Sequence, residues 1–405
     1  MGETQNPLEV LSLEALRRRQ SLKWRAFGDE VLPLWVAEMD TPLAAPVAQA
    51  LNRAIELGDA GYPSAGPYIE AFRNFAARRW EWEPGAEQIR PVRDVMTGVI
   101  EALRLAGELW DTVIVSSPVY PPFFNYPVTA GRRVVEAPLG AEGRLDFEML
   151  EESFNLRTAG GQASYLLANP HNPTGTVHTR QELEQLARLA ADYGVRVISD
   201  EIHAPLVYAE TDFTPYLTVD PRGYAVTSAS KGWSLAAFKA GLLIAGEEVA
   251  SELADLPPEA SLGASHIGVL AQTAAFAEGE PWLDALLQGL DANRMLLTEL
   301  LAEHAPQVSY SVPQGTYFGW LDFSEFGYDD APNGGAERPI QGPAKHLLQE
   351  AKVALTGGHA FGTGGEQHAR LNFATSQAIL TEAVQRIGAV LVPAAGSGPD
   401  RLSSG

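Results

Sequence analysis

The sequence predicts an α/β protein: a mainly parallel sheet sandwiched by helices, followed by a smaller α+β unit. Three observations carry this. Short apolar runs alternate with helical patterns through the middle of the chain. The residues able to do chemistry fall just past the ends of those runs. After about residue 285 the alternation gives way to one long helical segment and a few strands. Strands are expected at 112–116, 133–137, 164–168, 195–199, 224–227 and 241–245. Between the third and fourth, 181–193 carries Leu183, Leu186, Leu189 and Ala190 at helical spacing, with Gly194 as a stop. Beyond it come a helix at 282–305, strands at 308–312 and 317–323, a Gly/Pro-rich loop at 327–342, a helix at 343–351 and a strand at 369–374. The expected division is an N-terminal segment 1–45 packing with the small domain, a large domain 46–285, a small domain 286–391 and a disordered tail 392–405.

Length and composition narrow the class. The 405 residues, 45% hydrophobic and 20% charged, are those of a globular chain with room for a large core. No apolar run approaches the ~20 residues needed to span a bilayer. The N-terminus lacks a basic then apolar leader, so a cytoplasmic protein is expected. With no cysteine there is no disulfide, thiolate metal site or cysteine nucleophile, and no metal site is expected. The 29 Lys and Arg against 51 Asp and Glu give a formal charge of −22, which repels nucleic acid and anionic lipid. An anionic small molecule can still bind where a helix start and a lysine override that field.

Lys231 is the residue that points to a chemistry. It ends Thr227-Ser228-Ala229-Ser230-Lys231, directly after a buried strand and among hydroxyls. That setting suits Schiff-base formation with an aldehyde whose phosphate Ser228 and Ser230 hold, and pyridoxal 5′-phosphate (PLP) is such an aldehyde. Its pyridinium nitrogen needs a carboxylate, for which Asp200 stands at a strand end. Tyr120, in Pro118-Val119-Tyr120-Pro121-Pro122, can stack on the ring, and Asn172, in Asn169-Pro170-His171-Asn172-Pro173-Thr174-Gly175, can donate to the phenolate oxygen. Gly98, Val99 and Ile100 open a helix whose N–H groups can cradle the phosphate, and Lys239 can add charge. Each has a plainer alternative: Asp200 as a helix cap, Gly98 as a turn, Lys239 as a solvated cation. It is their joint order that favours the cofactor.

That order, Tyr, Asn-Pro-x-Asn-Pro-x-Gly, Asp-Glu-x-x, Ser-x-Ser-Lys and Arg370-Leu371-Asn372-Phe373, resembles fold-type I, aspartate-aminotransferase-like PLP enzymes from about residue 20 to 390. The resemblance implies a seven-stranded-type sheet, Lys231 as the Schiff-base lysine, Asp200 on the ring nitrogen and Arg370 clamping the substrate α-carboxylate. Tyr62, in Gly61-Tyr62-Pro63, matches the tyrosine that reaches the phosphate of a neighbouring subunit, implying a homodimer with shared sites. The run Leu32-Pro33-Leu34-Trp35-Val36-Ala37-Glu38-Met39-Asp40 is similar to the opening of MalY/PatB-type C–S β-lyases (cystathionine β-lyases), with Val36 and Ala37 beside the substrate. Asp200-Glu201-Ile202-His203 carries an imidazole where typical aminotransferases carry a tyrosine. These features imply α,β-elimination of a substrate such as cystathionine to thiol, pyruvate and ammonia, with Lys231, Asp200 and Tyr120 as the catalytic group. An aminotransferase is the alternative, and a PLP-binding regulator a third reading. Ser234 and Ala237-Phe238 depart from the usual lyase pattern, where asparagine and Gly-Leu are common, and put substrate fit in question.

Overall fold

The structure is a computed structural model that describes residues 5–109, 111–158, 161–328 and 341–391. Its centre is a seven-stranded sheet in the order Ile89–Val92, Gly241–Ala245, Tyr224–Thr227, Arg196–Asp200, Ala163–Ala168, Thr112–Val115, Arg133–Glu136. Neighbours from Tyr224–Thr227 to Arg133–Glu136 pair in parallel, whereas Gly241–Ala245 runs antiparallel to both of its neighbours. All six expected strands are present, with ends shifted by at most one residue.

The seventh strand, Ile89–Val92, escapes sequence reasoning. It is short and contains Pro91, whose missing N–H confines it to a sheet edge. The reversal of Gly241–Ala245 is also hidden. A fully buried Gly-Leu-Leu-Ile-Ala run looks the same in either direction.

Helices cover both faces of this sheet. Arg180–Asp192 begins with a capping box, in which Thr179 accepts from the Glu182 N–H and Glu182 reaches back to Thr179. It ends before Gly194, whose φ of +66° is the left-handed turn expected of a stop. On the other side, His266–Glu278 packs against Ala45–Leu57 and Gly66–Trp80 around Phe75, Phe276 and Trp233. Trp233 is fully buried and its indole N–H donates to the Gly279 carbonyl at 3.0 Å. It anchors the turn that carries Lys231.

The C-terminal part forms a four-stranded antiparallel sheet, Thr356–Gly357, His368–Asn372, Phe318–Asp322, Ser309–Tyr310. The strand expected at 308–312 shrinks to two residues, Ser309 and Tyr310, opposite Asp322 and Leu321. The helix expected at 343–351 is an α-turn, Gly342–His346, that widens into a π-turn, Leu347–Ala351. The long helix spans Glu280–His304, with Pro281 in its first turn. Leu32–Pro33 pairs in parallel with Val353–Ala354, tying the N-terminal segment to this part. On these sheets we propose the division 1–45, 46–285 and 286–391. The tail 392–405 and most of the loop at 327–342 lie outside the described residues. Among the described residues no helix is long and apolar enough to cross a membrane.

Candidate active site

The C-terminal ends of the parallel strands open into a pocket. Its lining includes Ala37, Tyr120, Asn172, Asp200 and His203, together with Ser228, Ser230, Lys231 and Lys239. Residues separated by up to two hundred positions meet here because each follows a strand of one sheet, or packs over its edge.

Asp200 is the last residue of its strand and is buried. Its Oδ1 accepts the Ile202 N–H at 3.1 Å. Burial pushes its pKa up to about 7, against the pull of that N–H and of the Lys231 charge. Lys231 moves the opposite way, down to about 8, because burial and the Arg370 charge disfavour the ammonium; Asp200 partly opposes them. Its Nζ donates to the Ala37 carbonyl at 3.2 Å. Opposite shifts of this kind in one pocket are suited to proton transfer.

Arg370 stands on His368–Asn372 and is 5% exposed. It donates to Asn172 Oδ1 at 2.8 Å and to the Trp35 carbonyl at 3.2 Å, and its guanidinium lies 4.0 Å from the Phe318 ring centroid. Its Nε has no partner among the described residues. Burial lowers its pKa to about 10, opposed by Tyr120 and Tyr317, so it remains a cation at neutral pH. Asn172 is held by a tight turn. Gly175, at φ +73°, donates to the His171 carbonyl, and a Cβ there would lie 2.2 Å from Pro313.

His203 is buried between Tyr317 and Phe318, with ring centroids 5.9 and 5.6 Å away. Burial, then the charges of Lys231 and Arg370, drive its pKa well below the ordinary value, so it is a neutral imidazole. Its Nδ1 has no partner among the described residues. Tyr120 is half-buried, its pKa raised to about 12 by burial and then by Asp200, so it keeps its proton. Val36 gives its carbonyl to Asn372 Nδ2 at 2.7 Å, which fixes the turn carrying Ala37.

The helix start differs from expectation. The helix is Val95–Ala106, with Asp94 as its cap, so Gly98, Val99 and Ile100 lie beyond its first positions. The Gly98 N–H is already taken by the Asp94 carbonyl at 2.9 Å. A Cβ on Gly98 would sit 3.0 Å from Val226 and 3.2 Å from Val92, so glycine is there for close helix–sheet packing. The helix-start residues that line the pocket are Val95 and Met96, whose N–H groups have no partner within the helix. Tyr62 is 88% exposed and this chain does not bring it to the pocket.

Sequence reasoning also missed the support beneath Lys231. Gln272, fully buried on His266–Glu278, accepts from the Ser228 hydroxyl at 2.8 Å, the Ala229 N–H at 2.9 Å and the Tyr68 hydroxyl at 2.9 Å. It donates to the Ala240 and Phe238 carbonyls. A lone glutamine on a mostly apolar helix gives no signal until its partners are placed. Ser234 adopts φ +55°, where asparagine is more at ease, and accepts the Met39 N–H at 3.0 Å.

PLP fits these residues. The pocket has an amine held below its ordinary pKa, a buried carboxylate, an unpartnered imidazole nitrogen, and two serines and a lysine beside a helix start. The description "Aminotransferase class I and II" matches residues 31–387. A candidate cystathionine beta-lyase of Mycobacterium leprae is 53% identical over 398 residues, covering 96% of this chain and 99% of that one. The cystathionine beta-lyase of Corynebacterium glutamicum is 34% identical over 387 residues, covering 94% and 99%. Among solved structures, a candidate PLP-dependent beta-cystathionase of Corynebacterium diphtheriae superposes with TM-score 0.84 at 33% identity, covering 94% of this chain and 98% of that one. The chain belongs to the aminotransferase class I and II family, in its branch of PLP-dependent C–S lyases.

Proposed function

We propose that the protein cleaves the Cβ–S bond of cystathionine or a related cysteine S-conjugate by α,β-elimination, giving a thiol (homocysteine from cystathionine), pyruvate and ammonia. One observation carries the reading. A lysine amine with a lowered pKa and a buried Asp200 line one pocket, with the buried Arg370 hydrogen-bonded to its lining residue Asn172, in a chain similar to cystathionine beta-lyases.

Bound PLP supplies an aldehyde for the amine and an electron sink for the pair released from Cα. The residues do the rest. Arg370 holds the substrate carboxylate with its fork. Lys231 takes the Cα proton, a task for which an amine near pKa 8 is well matched at neutral pH. With sulfur on Cβ, the electron pair expels the thiolate, which takes up a proton, and water hydrolyses the released aminoacrylate to pyruvate and ammonia. Asp200 would pair with the ring nitrogen, and Tyr120 would stack on the ring. Asn172 and the neutral His203 would serve the phenolate oxygen. Ser228, Ser230, Lys239 and the helix start at Val95 and Met96 hold the phosphate, and the Val36–Ala37 turn borders the substrate. Tyr62 of a second copy completes the phosphate seat in a homodimer. A cytoplasmic setting belongs to the same proposal.

Two outcomes follow. Because only the neutral amine has a lone pair, PLP uptake by the cofactor-free protein should accelerate as pH rises towards about 8 and level off above it. Stopped-flow absorbance reads this directly. Arg370→Lys keeps the charge and loses the fork. It should raise KM for the amino acid about 10- to 150-fold, the equivalent of one charge-assisted hydrogen bond. The proposal itself is tested by supplying L-cystathionine, L-cystine and S-methyl-L-cysteine to the holoenzyme and measuring released thiol. Release from cystathionine supports it; no thiol from any of the three overturns it.

A further inference from the structure

The phosphate end of the pocket holds a carboxylate that the proposed chemistry does not use. Asp94 caps Val95–Ala106 and lines the pocket beside Ser228, Ser230 and Lys239. Its Oδ1 accepts both the Thr97 N–H and the Thr97 hydroxyl at 2.9 Å, and its Oδ2 lies 3.2 Å from Lys239 Nζ. Burial raises its pKa, but the two Thr97 bonds and Lys239 outweigh that and leave it below the ordinary value, so it is an anion at neutral pH. Lys239 is half exposed, with Asp94 as its ion-pair partner.

A phosphate monoester placed here needs the same two things: the Lys239 ammonium and N–H groups at the helix start. Asp94 already engages Lys239 and one N–H of the helix start, that of Thr97. We propose that Asp94 is an internal competitor for the cofactor's phosphate, a residue that holds PLP affinity down and keeps the cofactor exchangeable. This rests on the reading of Lys239 and the Val95–Ala106 helix start as the phosphate end. Seating the phosphate draws Lys239 away from Asp94 and brings two anions close together; removing the carboxylate charge removes that opposition. The helix does not need the charge, since serine and asparagine cap as well as aspartate.

The test compares wild type, Asp94→Ser, Asp94→Asn and Lys239→Gln. It measures the Kd for PLP on reloading, the rate of PLP loss from holoenzyme, and competition by inorganic phosphate. Asp94→Ser and Asp94→Asn should each lower the PLP Kd about tenfold, slow its loss, and make inorganic phosphate a stronger competitor. Lys239→Gln should weaken both ligands. Should Lys239→Gln weaken binding while both Asp94 variants leave the Kd unchanged or raise it, the competitor role fails and the phosphate reading stands. Should Lys239→Gln leave PLP and phosphate binding unchanged, the phosphate reading fails and takes the inference with it. Using two capping residues separates loss of charge from loss of fold; thermal melts of both variants should match wild type.

Discussion

Lys231→Ala protein should lose the absorbance of lysine-bound PLP and fall in turnover by at least about 10²- to 10⁴-fold, the range of a lost general base. The expectation follows from position. Lys231 is the pocket residue whose amine is nucleophilic near neutral pH, because burial and Arg370 lower its pKa to about 8. Lys239, the other pocket lysine, is engaged by Asp94 and exposed, so it is a poor substitute. Alanine leaves Ala37 without its donor but removes no core packing, so the variant should fold. Absorbance spectra and steady-state kinetics on the same preparation check both halves. Persistence of the lysine-bound spectrum would place the covalent attachment elsewhere.

The second large effect is on stability. Lys23 and Asp40 form an ion pair at 2.8 Å with side chains 0% and 1% exposed. Asp40 also accepts the Trp24 indole N–H at 2.9 Å, and Lys23 donates to the Glu38 carbonyl at 3.2 Å. The pair therefore clasps the turn from Val36 to Asp40, whose Ala37 carbonyl faces Lys231. Lys23→Met strands the Asp40 carboxylate in an apolar setting, which costs about 3–5 kcal/mol. Urea unfolding of the holoenzyme should show a clearly lower midpoint, and the loosened turn should raise KM. An unchanged midpoint would mean that the pair is solvated in the native protein.

Much of the site was legible in the sequence because it follows directly from strand ends. Asp200, Asn172 and Lys231 each sit just beyond a buried run, so recognising parallel strands places all three on one edge of the sheet. What stayed hidden depends on partners far along the chain. Gln272 supports Ser228 and Ala229 from more than forty residues away. Lys23 meets Asp40 only once the N-terminal segment has folded back on itself. Gly98 misled for a different reason: a glycine near a helix start fits a phosphate loop and a close helix–sheet contact equally well, and the structure has the second. The edge strand Ile89–Val92 was obscured by its length and its proline.

The central claim is that the electron pair released at Cα leaves through sulfur. Its most direct measurement is holoenzyme with L-cystathionine and no added keto acid, following thiol, pyruvate and ammonia together. All three should be released in equal amounts over many turnovers, with no rate increase on adding a keto acid. Amino transfer to an added keto acid, without pyruvate or free thiol, would contradict it.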